Sequence, residues 1–354
     1  MGITVSDFGK TESGEEASLY VLKNDAGMTA VVSDLGAVLV SLFVPDRDSE
    51  MRDVVLGFDD VESYEKKNGT YYGATIGRCA NRIAKGRFTL NGADYQLDVN
   101  DGNNNLHGGF SGYETRMWAV SKSENTSEPS ITFALSSVHM DQGFPGNADI
   151  TVTYQVTADQ KLRISYQCAA DEDTVFNMTN HSYFNLNGHQ SGTVLDQEVQ
   201  IIADSFTMAD KESIPTGEIV DVTGTPMDFR EFHSIGERIE QPYPALLYGS
   251  GYDHNYCVND SGSSKIVARM RSRKSGILME VVTDLPGLQL YTGNFITGDQ
   301  TGKNGMVYPR RSGCCFETQY YPDAVHHSQF AQPVFKAGEL YETETVYRFT
   351  IFEN

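Results

Sequence analysis

Between residues 150 and 157 the chain alternates without a break. Ile150, Val152, Tyr154 and Val156 fall on one face, and Thr151, Thr153, Gln155 and Thr157 on the other. Residues 162–168 repeat the pattern after a short Ala158-Asp159-Gln160 turn. A period of two belongs to an extended strand with one buried face, so the pair predicts an antiparallel hairpin. Shorter runs of the same kind recur at 19–22, 38–44, 88–90, 131–135, 199–202, 266–270, 278–282, 288–291 and 347–352, separated by Gly, Asn and Asp clusters. Helical spacing is confined to 60–67 and 233–240. Ser121 to Ser130 reads as a polar loop, and Gly249 to Asp253 as a glycine-containing one. Many short strands with turn signals predict an all-β protein built as a large antiparallel β-sandwich with few short helices.

Composition narrows this picture. With 354 residues, 39% hydrophobic and 11% aromatic, the chain is long enough for a large core. No repeat or linker divides it, so residues 1–354 are expected to form one domain. Against 27 basic residues stand 48 acidic ones, a net charge of −21. Such a surface repels nucleic acid and anionic membranes and suits a neutral substrate. The five cysteines (Cys79, Cys168, Cys257, Cys314 and Cys315) are odd in number and mostly widely spaced, which predicts free thiols in a reducing compartment. There is no apolar leader and no 18-residue apolar run. Met1-Gly2 with Ser6 fits a loose acylation pattern, but Asp7 and the lack of a basic cluster speak against it. The sequons at Asn177 and Asn180 lie in a segment that reads as part of a pocket. A cytoplasmic protein is expected.

Several familiar chemistries find no support. Gly9-Lys10-Thr11 lacks the glycine a phosphate loop needs six residues before its lysine, and no Gly-x-Gly-x-x-Gly follows a strand. His326-His327 and Cys314-Cys315 lack metal-ligand spacing, and no Gly-x-Ser-x-Gly elbow is present. Nothing calls for a cofactor or a metal.

Five polar segments remain. Residues 77–87 carry Arg78, Arg82, Lys85 and Arg87 on an acidic chain. They read either as a solvated basic loop or as a site where Asn81 and Arg82 hold substrate oxygens. His107 precedes Gly108-Gly109, in a turn that is structural or a close approach to a ligand. Residues 177–186 pack Asn177, Thr179, Asn180, His181, Ser182, Tyr183 and Asn185 between apolar neighbours. That density means a self-satisfied buried network or a pocket wall with His181 as proton donor. Asp253 caps a turn or accepts sugar hydroxyls. Alternation places Cys315, Glu317 and Gln319 on one strand face. A carboxylate among apolar neighbours is desolvated, which raises its pKa towards that of a useful base; an edge salt bridge to Arg310 or Arg311 is the plainer alternative. A histidine and a glutamate so placed are suited to moving protons on a neutral substrate.

Six stretches, in order, resemble the aldose 1-epimerase (galactose mutarotase) family: IGRCANRIAKGRF, NLHGG, NHSYFNL, YDHNY, GLQLYTGN and FETQYYPDA, spread from Ile76 to Ala324. The resemblance implies the family's antiparallel β-sandwich, with a monosaccharide in a cleft on one sheet. The implied reaction is interconversion of the α and β anomers of free aldoses such as galactose and glucose. It implies Glu317 as general base and His181 as general acid. Asn81, Arg82, His107, Tyr183, Asp253 and Gln289 would bind the sugar. No cofactor or metal is implied, and a monomer or weak homodimer is expected. Cys79 and the vicinal Cys314-Cys315 pair depart from the family's pattern without an assigned role. Three rival readings stay open: a hexose-6-phosphate epimerase using Arg78, Lys85 and Arg87 for the phosphate, a sugar-binding protein without catalysis, and a glycosidase using Asp253 with Glu317.

Overall fold

The computed structural model describes residues 2–66, 68–259 and 264–353. Met1 of the acylation pattern and Lys67 at the end of the first expected helix lie outside them.

The alternating segment forms the strand Ala148–Val156, in which Ala148, Ile150, Val152, Tyr154 and Val156 are buried. It pairs antiparallel with Lys161–Ala170, placing Val152 opposite Tyr166. Apolar side chains facing each other across a pair hold the register, because a one-residue slip would turn them to water. This hairpin sits inside a nine-stranded antiparallel sheet. The last strand, Tyr341–Ile351, inserts between Lys161–Ala170 and Ile277–Thr283. A six-stranded sheet joins, in order, Tyr183–Phe184, Cys314–Gln319, Gly287–Tyr291, Asp253–Cys257, Ser205–Ala209 and Pro215–Asp221. The first five strands, from Gly2–Lys10 to Met51–Asp53, form a separate meander.

One buried cluster joins the sheets. Val152, Ile164, Val281 and Phe349 come from the nine-stranded sheet, Tyr256, Leu290 and Phe316 from the six-stranded one, and Leu22, Val32 and Leu42 from the meander. Each such side chain contributes about 1.5–3 kcal/mol on full burial. Tyr347 crosses the core to donate its hydroxyl to the Phe316 carbonyl at 3.0 Å. The sandwich is therefore as expected, and the even positions of Cys314–Gln319 face its interior.

Local differences have physical causes. Ser121 to Glu124, expected as loop, belong to the strand Ala119–Glu124. That strand lies at the sheet edge and is exposed at every position, so no alternation marks it. Of 233–240, only Ile235–Arg238 is helical, after the short strand His233–Ser234. The first helix is Val61–Lys66. A third helix, Pro244–Gly249, gave no sequence signal beyond its first-turn proline. All five cysteines are free and buried. Among the described residues no helix is long and apolar enough to cross a membrane.

Candidate active site

Two rows of cross-strand partners on one face of the six-stranded sheet bring Tyr183, Tyr291, Asp253 and Glu317 into a cleft, with Cys315, Gln289 and Asn255 beside them in the same rows. In one row Tyr183 pairs with Cys315, Cys315 with Tyr291, and Tyr291 with Asp253. In the next, Glu317 pairs with Gln289, and Gln289 with Asn255. Directly opposed residues share a face, and positions two apart share it too. Register thus gathers side chains that are up to 134 positions apart in sequence.

His181 reaches the same place from the strand Thr179–His181, which pairs with Ala74–Ile76. Its Nε2 lies 3.6 Å from Glu317 Oε1. The surrounding residues of 177–186 satisfy both readings of that segment, in alternation. Asn177 exchanges hydrogen bonds with the Tyr320 backbone. Asn180 donates to the Gly73 carbonyl at 3.0 Å, and Asn185 donates to the Ser312 carbonyl at 2.9 Å. His181 and Tyr183 line the cavity instead. Asn177 and Asn180 are buried, so neither is a glycan acceptor in the folded chain.

The third wall is the turn at residues 105–109 laid against residues 77–82. A Cβ on Gly108, whose φ is +97°, would stand 2.3 Å from the Gly77 carbonyl oxygen, so only glycine permits this approach. Asn81 donates its backbone N–H to His107 Nδ1 at 3.2 Å, and His107 returns its own N–H to the Asn81 carbonyl at 3.0 Å. Nδ1 is an acceptor here, so neutral His107 carries its proton on Nε2. Arg82 lines the cavity with its Nε held by Asp101 at 2.8 Å. The neighbouring cations do not share this role. Arg78 is buried, spanning to the Pro145 carbonyl at 2.6 Å and Ser137 Oγ at 2.6 Å, while Lys85 and Arg87 are exposed. None of the three lines the cavity.

Asp253 lines the cavity from the start of its strand and receives a hydrogen bond from Gln289 Nε2 at 2.7 Å. It caps no turn. Gln289 is not in the cavity wall; its own Oε1 accepts from Gln319 at 3.2 Å. Gln289 therefore orients Asp253. Gly69, Tyr71, Leu106, Tyr291 and Phe295 complete the lining and were missed from sequence. Tyr291 had a signal, two positions after Gln289 in an alternating strand. Tyr71 had none, because its place depends on a positive φ of 54°.

Burial dominates the electrostatics. Glu317 is 2% exposed, and its Oε2 has no hydrogen-bond partner among the described residues. Loss of water, reinforced by the charge of Asp253 and opposed by Arg82, holds its carboxyl well above the usual range. Burial pushes His181 down to about 4. It also pushes His107 well below its ordinary value, with His181 and Arg82 adding to the effect. Burial raises Asp253, against Arg82 and the Gln289 hydrogen bond. Arg310 and Arg311 are engaged elsewhere, with Ser250 among their partners. Burial thus disfavours the charged form of both members of the Glu317–His181 pair.

His107, His181 and Glu317 offer atoms within 4.8 Å of one another. The hydrogen bond from Asn81 makes His107 Nε2 a proton donor, which suits a sugar oxygen better than a cation. The site is small and rich in donors and acceptors.

The family model for aldose 1-epimerase matches residues 18–348. The chain is 40% identical over 352 residues to galactose mutarotase of Mus musculus, covering 99% of each chain. It is 36% identical over 339 residues to aldose 1-epimerase of Escherichia coli K12, covering 95% and 96%. The crystal structure of galactose 1-epimerase from Lactobacillus acidophilus superposes with a TM-score of 0.87 at 25% identity, covering 99% of each chain. An aldose epimerase homologue from C. elegans gives the same TM-score at 30% identity, covering 95% and 100%.

Proposed function

The chain belongs to the aldose 1-epimerase family, and from that premise we propose that Glu317 and His181 carry its acid–base chemistry. It is a carbohydrate isomerase, and it interconverts the α and β anomers of free aldoses such as galactose and glucose. The observation that carries the assignment of residues is the approach of His181 Nε2 to Glu317 Oε1 at 3.6 Å in one cavity. That separation is too long for a good direct hydrogen bond. It leaves both groups free to engage the anomeric hydroxyl and the ring oxygen, which are bonded to the same carbon.

In the forward direction Glu317 carboxylate accepts the proton of the C1 hydroxyl while His181 imidazolium donates one to O5. The C1–O5 bond breaks and C1 becomes an aldehyde. Rotation about C1–C2 presents the other face; C1 is then attacked by the O5 hydroxyl, which returns its proton to His181, while Glu317 protonates the new C1 oxygen. Because burial disfavours both charges, the reactive carboxylate–imidazolium form arises by transfer of the Glu317 proton to His181, and ring opening returns the pair to carboxylic acid and imidazole. Its single proton is conserved throughout, so it needs no external acid or base. General acid–base help of this kind is worth roughly 10²–10⁴ in rate. His107 Nε2–H and Arg82 offset charge developing on the ring oxygen. Asn81 holds His107, Gln289 holds Asp253, and Asp253 accepts sugar hydroxyls beside the Tyr183 ring.

The phosphosugar reading loses its support in the placement of Arg78, Lys85 and Arg87 away from the cavity. The proposal takes residues 1–354 as one domain, which the common buried core supports. It takes the protein as a cytoplasmic monomer or weak homodimer, and the five free thiols fit a reducing compartment. Crystalline α-D-galactose dissolved in dilute buffer and followed by optical rotation tests the activity. The protein should speed the approach to an unchanged final rotation. No acceleration with galactose, but anomer exchange with glucose 6-phosphate, would replace the free-sugar reading with the phosphosugar one.

A further inference from the structure

His181 has a second ring nitrogen, and its partner is unusual for a catalytic histidine. Among the described residues Nδ1 has one side-chain partner, Cys315 Sγ at 3.6 Å. The thiol is fully buried. Strand alternation separates it from Cys314, which faces the main core, so the vicinal pair does two different jobs. Cys315 is fixed on both sides by its cross-strand partners Tyr183 and Tyr291.

Aromatic rings confine the plane of the His181 ring. Tyr183 and Tyr71 lie over it at centroid distances of 5.0 and 5.6 Å and tilts of 34° and 31°. His107 and Tyr291 meet it edge-on at 5.3 and 6.0 Å. The charged groups around the cavity are Glu317, Arg82 and Asp253. None of these is paired with Nδ1; the sulfur is its side-chain contact, and the backbone of His181 itself is a further polar neighbour of the ring.

We propose that Cys315 is a positioning residue for the reaction: its thiol serves His181 Nδ1 as an interchangeable donor and acceptor, keeping the ring in place in both of its protonation states while binding the imidazolium only weakly. The inference rests on His181 being the general acid. Catalytic histidines are commonly oriented through Nδ1 by a carboxylate or carbonyl, which stabilises the charged ring. A neutral thiol is a weak acceptor and a weak donor. Sulfur accepts from Nδ1–H when the ring is charged, and S–H turns towards the Nδ1 lone pair when the proton sits on Nε2. The sugar ring oxygen is a very weak base, so an imidazolium held loosely donates to it more readily than one anchored by a carboxylate. Burial, helped by the nearby Glu317 and Cys314, keeps Cys315 a thiol, with its pKa well above the ordinary value. It is therefore neither a nucleophile nor a ready site of oxidation.

The test is the pH dependence of kcat in Cys315→Ser and Cys315→Ala, with Cys314→Ala as the core-facing control. A serine hydroxyl is a stronger acceptor and should stabilise the imidazolium, moving the acid limb up by roughly half a pH unit or more. Alanine removes the partner, so the acid limb should move down and kcat should fall by about tenfold with KM within about twofold. Cys314→Ala should lower stability and leave the limb where it is. If Cys315→Ala does not fold, the upward shift in Cys315→Ser still decides. An acid limb unmoved in both Cys315 variants, or a loss seen in KM alone, would overturn the inference. A His181→Asn variant that keeps its rate would instead remove the premise, so the two failures are distinguishable.

Discussion

Asn81 and His107 clasp each other through two hydrogen bonds, the Asn81 N–H on His107 Nδ1 at 3.2 Å and the His107 N–H on the Asn81 carbonyl at 3.0 Å. Both residues have positive φ, 61° and 53°, a region uncommon outside glycine but one in which Asn and His are enriched. The clasp fixes a tautomer as well as a position. His107 then has one role open to it in the cavity, donation from Nε2.

His107→Ala should therefore lower kcat by roughly 10²–10³, the usual effect of losing one preorganised donor to developing negative charge. Polarimetry of the purified variant measures it. A loss appearing only in KM would mean that His107 binds the sugar equally in ground and transition states.

The pH profile follows from the single shared proton. Adding a second proton charges His181, whose pKa burial lowers to about 4, so the acid limb of kcat falls near that pH. Removing the shared proton ionises Glu317, whose pKa burial raises, so the alkaline limb lies well above the usual carboxylate range. The two opposed shifts give a broad plateau. Asp253 raises the Glu317 pKa by its charge. Asp253→Asn should therefore move the alkaline limb down, besides lowering the rate. An alkaline limb that moves up or stays in place would show that Glu317 is not the titrating group.

Glu114 offers a test outside the chemistry. It is buried in a small apolar pocket beside Tyr71, with Oε2 unpartnered, and burial raises its pKa to about 7. The folded state holds this proton more tightly than the unfolded chain. Its contribution to stability is thus complete below about pH 4.5 and is lost as pH rises through about 7. The change amounts to a few kcal/mol. Urea unfolding across this range should show the native protein losing stability relative to Glu114→Gln. Parallel curves would mean that Glu114 ionises freely in the folded state.

Much of this was legible beforehand because antiparallel strands write their buried face every second residue. That pattern found the central hairpin and the strands bearing Gln289 and Glu317, and it put Cys315, Glu317 and Gln319 on one face. The edge strand Ala119–Glu124 escaped because it buries nothing. The site was legible as a set of polar segments and as a family resemblance, but not as geometry. Pairing register decides that Tyr183 meets Cys315 and that Glu317 meets Gln289, and register is a property of partners far apart in the chain. For the same reason Gln289 could be named while its task of holding Asp253 could not. Tyr71 and the tautomer of His107 depend on backbone angles that no residue pattern announces.

The central claim is that Glu317 and His181 act as one proton-carrying unit. Its most direct test is optical rotation of fresh α-D-galactose with Glu317→Gln, His181→Asn and the double variant, each confirmed as folded. Each single change should cut turnover by at least about 100-fold, and the double variant should be little slower than the worse single one, since partners in one step are not additive. Near-normal turnover in either single variant would contradict the account, and so would losses that simply multiply in the double variant.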